Sequence, residues 1–174
     1  KIMKKITLLI AFIGMITLQS CTVNEVQDNV DNDTISEVFE LRNVNFSYNS
    51  STGGYFIYRT LNPQIYASDN ILIYRMSDVI DSNTPVWQLI PRTLYLSGGD
   101  ELDYDYDFSR EDFTIYADGT YNLASTPQYI NNQTFRIVII PGYFSNRSAQ
   151  QIDFNDYDAV IQAYGINPNN IKSL

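Results

Sequence analysis

Histidine is absent from this chain of 174 residues, and cysteine occurs only once, as Cys21. Without histidine, the sequence excludes Ser-His-Asp and Cys-His catalytic groups, and one cysteine cannot supply the ligand set of a usual zinc site. Lysine is nearly as scarce, since Lys172 is the only one after Lys5, which argues against a Ser-Lys pair. Carboxylates, tyrosines and arginines are the residue types left for chemistry, and we expect a protein that is not an enzyme.

Basic residues are few in general. The chain has 11 Lys and Arg against 20 Asp and Glu, which gives a formal net charge of −9. Three of the basic residues, Lys1, Lys4 and Lys5, precede Cys21, whereas all the acidic residues follow it. Because such a surface repels a phosphate backbone, we expect no nucleic-acid partner.

The N-terminal segment has the composition of a secretory signal over residues 1–20. Lys4 and Lys5 are followed by a mainly apolar run, Ile6–Leu18, which is too short for a lasting membrane span. The run ends close to the single cysteine, with the small residue Ser20 between them. A core helix and an ordinary cleaved signal that leaves Cys21 as a free thiol are the alternative interpretations.

The four residues Leu18-Gln19-Ser20-Cys21 resemble the lipobox of bacterial lipoproteins. The resemblance implies cleavage before Cys21, a diacylglycerol on its sulfur, and a fatty acid such as palmitate on its new amino group. It also implies attachment to the membrane through this lipid anchor, with the protein held at the outer membrane and displayed either in the periplasm or on the cell surface.

Composition changes twice after the signal. Residues 21–36 are rich in Asn, Asp, Gln, Glu and Thr with isolated valines, which is typical of a disordered tether. From residue 37 onward, short runs of β-branched and aromatic residues alternate with turn residues, so we expect one domain over residues 37–174. About eight or nine such runs predict an all-β fold, an antiparallel β-sandwich (Ig-like or similar), with a small β-barrel as the alternative.

Three local patterns refine this prediction. A shift in the apolar alternation predicts a bulge near Arg42-Asn43. Polar residues predict a loop over Asp78–Thr84, and Asp118-Gly119 predicts a two-residue hairpin turn that ends before a strand over Tyr121–Leu123.

One C-terminal helix is predicted over Asn155–Tyr164, because apolar residues recur there at helical spacing. Asp153 or Asn155 is the expected N-cap, and Gly165 is the expected first residue beyond the helix. We expect this helix to cover one end or edge of the sandwich.

The region after the tether resembles a group of Bacteroidetes lipoproteins of uncharacterised activity, some of which are labelled collagen-like. The resemblance is carried by three strands and the closing helix; the strands are Ile71–Arg75, Val86–Pro91 and Gln133–Ile139. This chain lacks the Gly-Pro repeat of that group's tether. The resemblance implies a fold and a location, and no activity.

The segment Glu101–Phe108 alternates strictly between acidic and apolar residues. On a strand, Asp103, Asp105 and Asp107 share one face at about 6.5–7 Å spacing, where they form a candidate calcium site. The alternative is a solvated face that discourages edge-to-edge aggregation. A carboxylate-dependent glycosidase is a less favoured alternative, which a concave cleft with two carboxylates about 5–10 Å apart would support.

Aromatic residues form the second candidate site, since the chain has 14 tyrosines and one tryptophan. Most of the tyrosines lie in alternating strands and are expected in the core, as is Trp87. Tyr48, Tyr55, Tyr143 and Phe144 lie in or beside loops, and we expect them to contact a ligand, either a glycan or an envelope protein. Arg75 and Arg136 lie within apolar strands, where we expect each to pair with a carboxylate.

Overall fold

Ten β-strands, three short 3-10 helices and one α-helix are found in the described residues, 36–142 and 152–174, of this computed structural model. The predicted signal, most of the tether, and Tyr143 and Phe144 lie outside these residues. The strands in chain order are β1 Glu37–Val44, β2 Ser47–Tyr48, β3 Tyr55–Thr60, β4 Asn70–Ile80, β5 Thr84–Ile90, β6 Arg92–Tyr95, β7 Glu101–Phe108, β8 Asp112–Gly119, β9 Gln133–Ile140 and β10 Lys172–Ser173.

The strands form two five-stranded sheets. The first sheet has the order β10-β1-β9-β4-β5 and the second has the order β2-β3-β8-β7-β6. Every pairing is antiparallel except that of β1 with β10. The sheets are not closed into a barrel, so the all-β sandwich is confirmed and the barrel alternative is wrong.

The main hydrophobic core lies between the sheets. It contains fully buried residues from both, including Ile73 and Phe135 of the first and Phe113 and Ile115 of the second. Strand β9 is covered on both faces, since seven of its eight positions are buried, and its last four residues, 137–140, are all apolar. The described residues belong to one compact unit, Asp33–Leu174, which therefore has a core of its own.

A second hydrophobic cluster covers the outer face of the first sheet. The helix α1, Tyr157–Ala163, contributes Val160 and Ile161, which pack with Tyr74 and Val138. The prediction that the helix would cover an end or an edge is therefore wrong, since it lies on a sheet face. Periodicity identifies the apolar face of a helix but does not identify the surface against which that face packs.

The ends of α1 follow the expected chemistry. Its N-cap is Asp156, one residue after the predicted Asn155, and the Asp156 carboxylate accepts a hydrogen bond from the Ala159 amide. After the helix, Gly165 has a φ of +64° and Ile166 donates its amide to the Ile161 carbonyl. This arrangement is a Schellman motif, which confirms the predicted role of Gly165.

The three local patterns give mixed outcomes. The bulge is confirmed, since the β1–β9 register shifts between Leu41 and Val44. The loop prediction is wrong for Asp78–Ile80, because β4 continues through these residues and pairs with β5. The Asp118-Gly119 hairpin is also wrong, because Gly119 is the last residue of β8 and pairs with Leu102 of β7.

Candidate functional site: the outer face of the second sheet

The alternation of β7 places its acidic residues on the outer face of the second sheet. Leu102 and Tyr104 are buried in the core, whereas Asp103, Asp105 and Asp107 are exposed. Strand β8 alternates in the same way, with Phe113 and Ile115 buried and Tyr116 and Asp118 exposed. The predicted arrangement of the β7 carboxylates on one face is confirmed.

Hydroxyl groups from neighbouring strands bind these carboxylates. Thr93 of β6 donates to Asp103 Oδ1 at 2.5 Å, and Tyr116 of β8 donates to Asp107 Oδ2 at 2.9 Å. Burial, followed by this bond, raises the pKa of Tyr116 above its ordinary value. The bonds link three adjacent strands across the face and hold the Tyr116 ring in place.

A second tyrosine is held in a similar way at the β3 side of the face. Tyr58 donates its hydroxyl to Asp112 Oδ2 at 3.0 Å, and this hydrogen bond is the largest cause of a raised pKa for Tyr58. Asp112 also accepts a hydrogen bond from Ser109 at 2.6 Å. The rings of Tyr58 and Tyr116 remain 47% and 39% exposed, so their faces are open to a ligand.

A cleft of about 640 Å³, which we call the outer-face cleft, is lined by Tyr58, Tyr116 and Asp103 among others. It extends over β3, β8 and β7. Its lining includes Tyr55, Tyr58, Tyr116, Asp103, Asp105 and Asp118. The cleft therefore combines aromatic rings with carboxylates.

The metal prediction gains no support from this geometry. Within residues 36–142 and 152–174, no group of three or more acidic, histidine or cysteine side chains is arranged to hold a metal ion. Asp103, Asp105 and Asp107 occupy alternate positions of one strand, at about 6.5–7 Å spacing, whereas Ca²⁺ needs six to eight oxygens around one point at about 2.3–2.6 Å.

The structure brings two of the predicted ligand-binding aromatics together. Tyr48 and Tyr55 face each other across β2 and β3, with ring centroids 5.2 Å apart. Both line a second cleft of about 470 Å³, which shares Tyr55 and Asp118 with the outer-face cleft. The predicted partners Tyr143 and Phe144 lie outside the described residues, so a cluster of all four stays a prediction.

Sequence reasoning missed Tyr58, Tyr116 and the position of Asp118 on this face. The alternation of Asp112, Thr114, Tyr116 and Asp118 was a usable signal, because these residues follow the same period of two as β7. The strong turn propensity of Asp118-Gly119 obscured it. No local pattern indicates that β8 lies between β3 and β7.

The two strand arginines have different partners. Arg136 donates to Glu40 Oε2 at 3.0 Å, which confirms the predicted carboxylate pairing. Its guanidinium also lies 4.2 Å from the centre of the Trp87 ring, on the outer face of the first sheet. Arg75 instead donates to Gln133 Oε1 at 2.8 Å and stacks on Tyr104, so its predicted carboxylate partner is wrong.

Cys21, the predicted lipidation site, lies outside the described residues. Among residues 36–142 and 152–174, no helix is long and apolar enough to cross a membrane. Comparison of the chain with protein-family models, with curated proteins and with solved structures finds no match.

Proposed function

We propose that this protein is a lipid-anchored binding module of the bacterial cell envelope that has no catalytic activity and binds its ligand, an envelope protein or a glycan, in the outer-face cleft. The cleft is the observation that supports the binding role. Its volume of about 640 Å³ lies in the range of about 300–1,000 Å³ that is usual for ligand sites. Two tyrosine rings are held there by hydrogen bonds and are still exposed, which is the arrangement of a preorganised contact surface.

The anchor is proposed from the resemblance of Leu18–Cys21 to a lipobox. The test is metabolic labelling with a fatty-acid analogue, in which the wild type is compared with Cys21→Ala. We expect label in the wild type only, together with release of the variant from the membrane fraction. Equal labelling of the two proteins would contradict lipidation at Cys21.

The binding role is tested with the segment Asp33–Leu174 on arrays of glycans and of peptides. We expect at least one class of ligand whose binding is lost in the double variant Tyr58→Ala/Tyr116→Ala. The matched control is Tyr66→Ala, which removes a tyrosine that is 48% exposed but lies outside the cleft lining. Binding that survives the double variant, or is lost equally in the control, would place the ligand elsewhere.

A carbohydrate-binding module is a specific form of this proposal. It is favoured by Tyr48 and Tyr55, whose neighbouring rings lie beside the 470 Å³ cleft. If a sugar is the ligand, Tyr55→Ala is expected to weaken binding, because Tyr55 lines both clefts. The glycan array and this variant together test the carbohydrate role.

A glycosidase is the rival, and the outer-face cleft meets part of its geometric requirement. Strand geometry sets the side chains of Asp103, Asp105 and Asp118 about 5–7 Å apart, within the range that glycoside hydrolysis uses. All three are exposed, however, whereas a general acid needs a desolvated site that keeps it protonated. Release of reducing sugar by the wild type, and its loss in Asp103→Asn, would overturn the non-enzymatic proposal.

A further inference from the structure

Each of the three carboxylates on β7 has one oxygen atom that accepts no hydrogen bond from the described residues. Asp103 and Asp107 each accept one hydrogen bond through a single oxygen, and Asp105 Oδ1 accepts one from the Tyr106 amide at 2.7 Å. No described residue donates to the second oxygen of any of the three. Each carboxylate can therefore accept a further donor from a ligand.

No basic side chain of the described residues neutralises this face. The outward positions of β3, β6, β7 and β8 contain no Lys or Arg, and their acidic residues are Glu101, Asp103, Asp105, Asp107, Asp112 and Asp118. The ion pairs of the described residues join Glu37 and Glu40 to their partners in the first sheet, and none includes a carboxylate of the cleft. A ligand that fits this face by charge is therefore cationic.

We infer that the outer face of the second sheet, along β7 and the outer-face cleft beside it, binds an extended, basic peptide segment of a partner protein, with Lys or Arg at alternate positions that pair with Asp103, Asp105 and Asp107. This inference rests on the proposed binding function and names its ligand class. Alternate side chains of an extended chain recur at about 6.5–7 Å, the same period as the three carboxylates of β7. A peptide that lies along β7 thus brings each cation to one carboxylate.

The tyrosines of the face supply contacts that charge alone does not. Tyr116 lies opposite Asp105 in the β7–β8 register, so a cation bound at Asp105 lies beside an aromatic ring. Tyr95 of β6 lies opposite Glu101 and is 79% exposed, which extends the aromatic contacts past the end of the acidic row. Exposed tyrosine rings attract Lys and Arg side chains through cation–π contacts, which add to the ion pairs with the carboxylates.

The test measures fluorescence anisotropy of a labelled peptide of alternating Lys and Ser with the segment Asp33–Leu174 at an ionic strength of about 0.1 M. A peptide of the same composition, with its lysines in one block, is the control for register. We expect the alternating peptide to bind more tightly. The triple variant Asp103→Asn/Asp105→Asn/Asp107→Asn should weaken its binding about tenfold, which is within the range expected from the loss of three exposed ion pairs.

A matched triple variant controls for net charge. Asp78→Asn/Asp81→Asn/Asp158→Asn removes three exposed carboxylates that are not part of the second sheet; they lie on β4, on the turn after it and on α1. Because separate charges are screened beyond about 10 Å, this control should change the affinity about twofold or less. Thermal unfolding of both triple variants checks that each is folded.

Three results would overturn the inference: no binding of the alternating peptide, equal affinity for the two peptides, or equal loss in the two triple variants. Cleft-dependent binding of a neutral glycan without peptide binding would also overturn it, but would leave the proposed binding function intact. Failure of the proposed function has a different signature, namely that no glycan or peptide binding depends on Tyr58 and Tyr116.

Discussion

Asp103 and Asp118 lie directly opposite each other on β7 and β8, as Cα partners in the register of the second sheet. Both side chains are exposed, and no ion pair of the described residues includes either of them. Like charges in directly opposed positions of a sheet repel and destabilise it. The repulsion between these two carboxylates therefore lowers the stability of the fold at the cleft where we place the ligand.

Replacement of Asp118 by Asn should therefore stabilise the domain. We expect the free energy of unfolding in urea to rise by about 0.2–1 kcal/mol at neutral pH. The asparagine side-chain oxygen can still accept the bond from the Gly119 amide that Asp118 Oδ1 accepts at 2.8 Å. The gain should shrink in high salt, which screens the repulsion.

Asp78→Asn is the control for this prediction. Asp78 also accepts a bond from the next amide, at 2.8 Å, but it lies opposite Val86 rather than an acid. Its replacement should leave the free energy of unfolding nearly unchanged. An equal gain in both variants would indicate a general effect of net charge and not a repulsion between Asp103 and Asp118.

Arg136 and Arg42 both pair with Glu40, but from different environments. The Arg136 side chain is 15% exposed and Arg42 is 76% exposed, while Glu40 is 7% exposed. Arg136→Ala should lower the free energy of unfolding by about 3–5 kcal/mol, because it leaves a buried carboxylate without its buried partner. Arg42→Ala should cost about 1 kcal/mol or less.

Arg136→Lys tests whether the planar shape of the guanidinium contributes to stability in addition to its charge. Lysine keeps the positive charge near Glu40 but lacks the planar group that stacks on Trp87 at 4.2 Å. We expect a stability between those of the wild type and Arg136→Ala in urea unfolding. If Arg42→Ala proves as costly as Arg136→Ala, the assignment of Arg136 as the main partner of Glu40 is wrong.

Gly119 is required for a close approach of two chain segments. A Cβ atom at this position would lie 2.7 Å from the Glu101 carbonyl oxygen and 2.7 Å from the Leu123 Cδ1. Gly119→Ala should therefore lower the free energy of unfolding by about 1–3 kcal/mol, as overpacking does. Gly54→Ala is the control, since its Cβ would meet nothing closer than the Ala117 carbonyl oxygen at 3.8 Å.

Thermal unfolding of the two glycine variants gives the comparison. Equal midpoints for Gly119→Ala and Gly54→Ala would show that the backbone near Glu101 adjusts without cost. In that case, the close approach of the two chain segments would not require glycine at position 119.

The domain should lose stability in alkali because buried tyrosines resist ionisation. Burial raises the pKa of Tyr104 to about 12, and its hydroxyl donates to the Tyr129 carbonyl at 2.6 Å. In the unfolded chain the ordinary value is 10.0, so the folded state is favoured below pH 10 and this contribution is lost as the pH rises to about 12.

Urea unfolding at a series of pH values measures this loss. Tyr104→Phe removes the ionisable group, so its free energy of unfolding should fall less steeply than that of the wild type between pH 10 and about 12. Part of the slope should remain, since burial also raises the pKa of Tyr74 and Tyr106. Identical slopes for the two proteins would exclude Tyr104 as a source of the effect.

The acidic residues of β7 show how far the sequence predicts the site. Their strict alternation identifies both the strand and the exposed face, because the period of two is a local property of the chain. The pairing of Asp103 with Asp118 was not predictable in this way, since it depends on which strand lies beside β7 and in which register. Tyr58 was missed for the same reason, whereas the alternation of β8 was a local signal for Tyr116.

Gly119 and the segment Asp78–Ile80 show where local propensity misleads. An Asp-Gly pair is a strong turn signal. Here, however, glycine is needed at position 119 because the Glu101 carbonyl oxygen lies too close for a side chain. The mostly polar segment after Ser77 indicates a loop, yet its first three residues form the end of β4, where Val79 and Ile80 are exposed. Both errors come from contacts between segments that local sequence does not encode.

The parallel pairing of β10 with β1 has a mechanical consequence. If the residues before Ser36 tether the protein as proposed, a pull on a bound partner is transmitted to the membrane through the first residue of β1. That strand is held on one side by β9 and on the other by β10, where Lys172 also pairs with Glu37. A load directed along β1 would be shared by both rows of hydrogen bonds at once, so the tethered end would resist shear better than a singly paired edge strand.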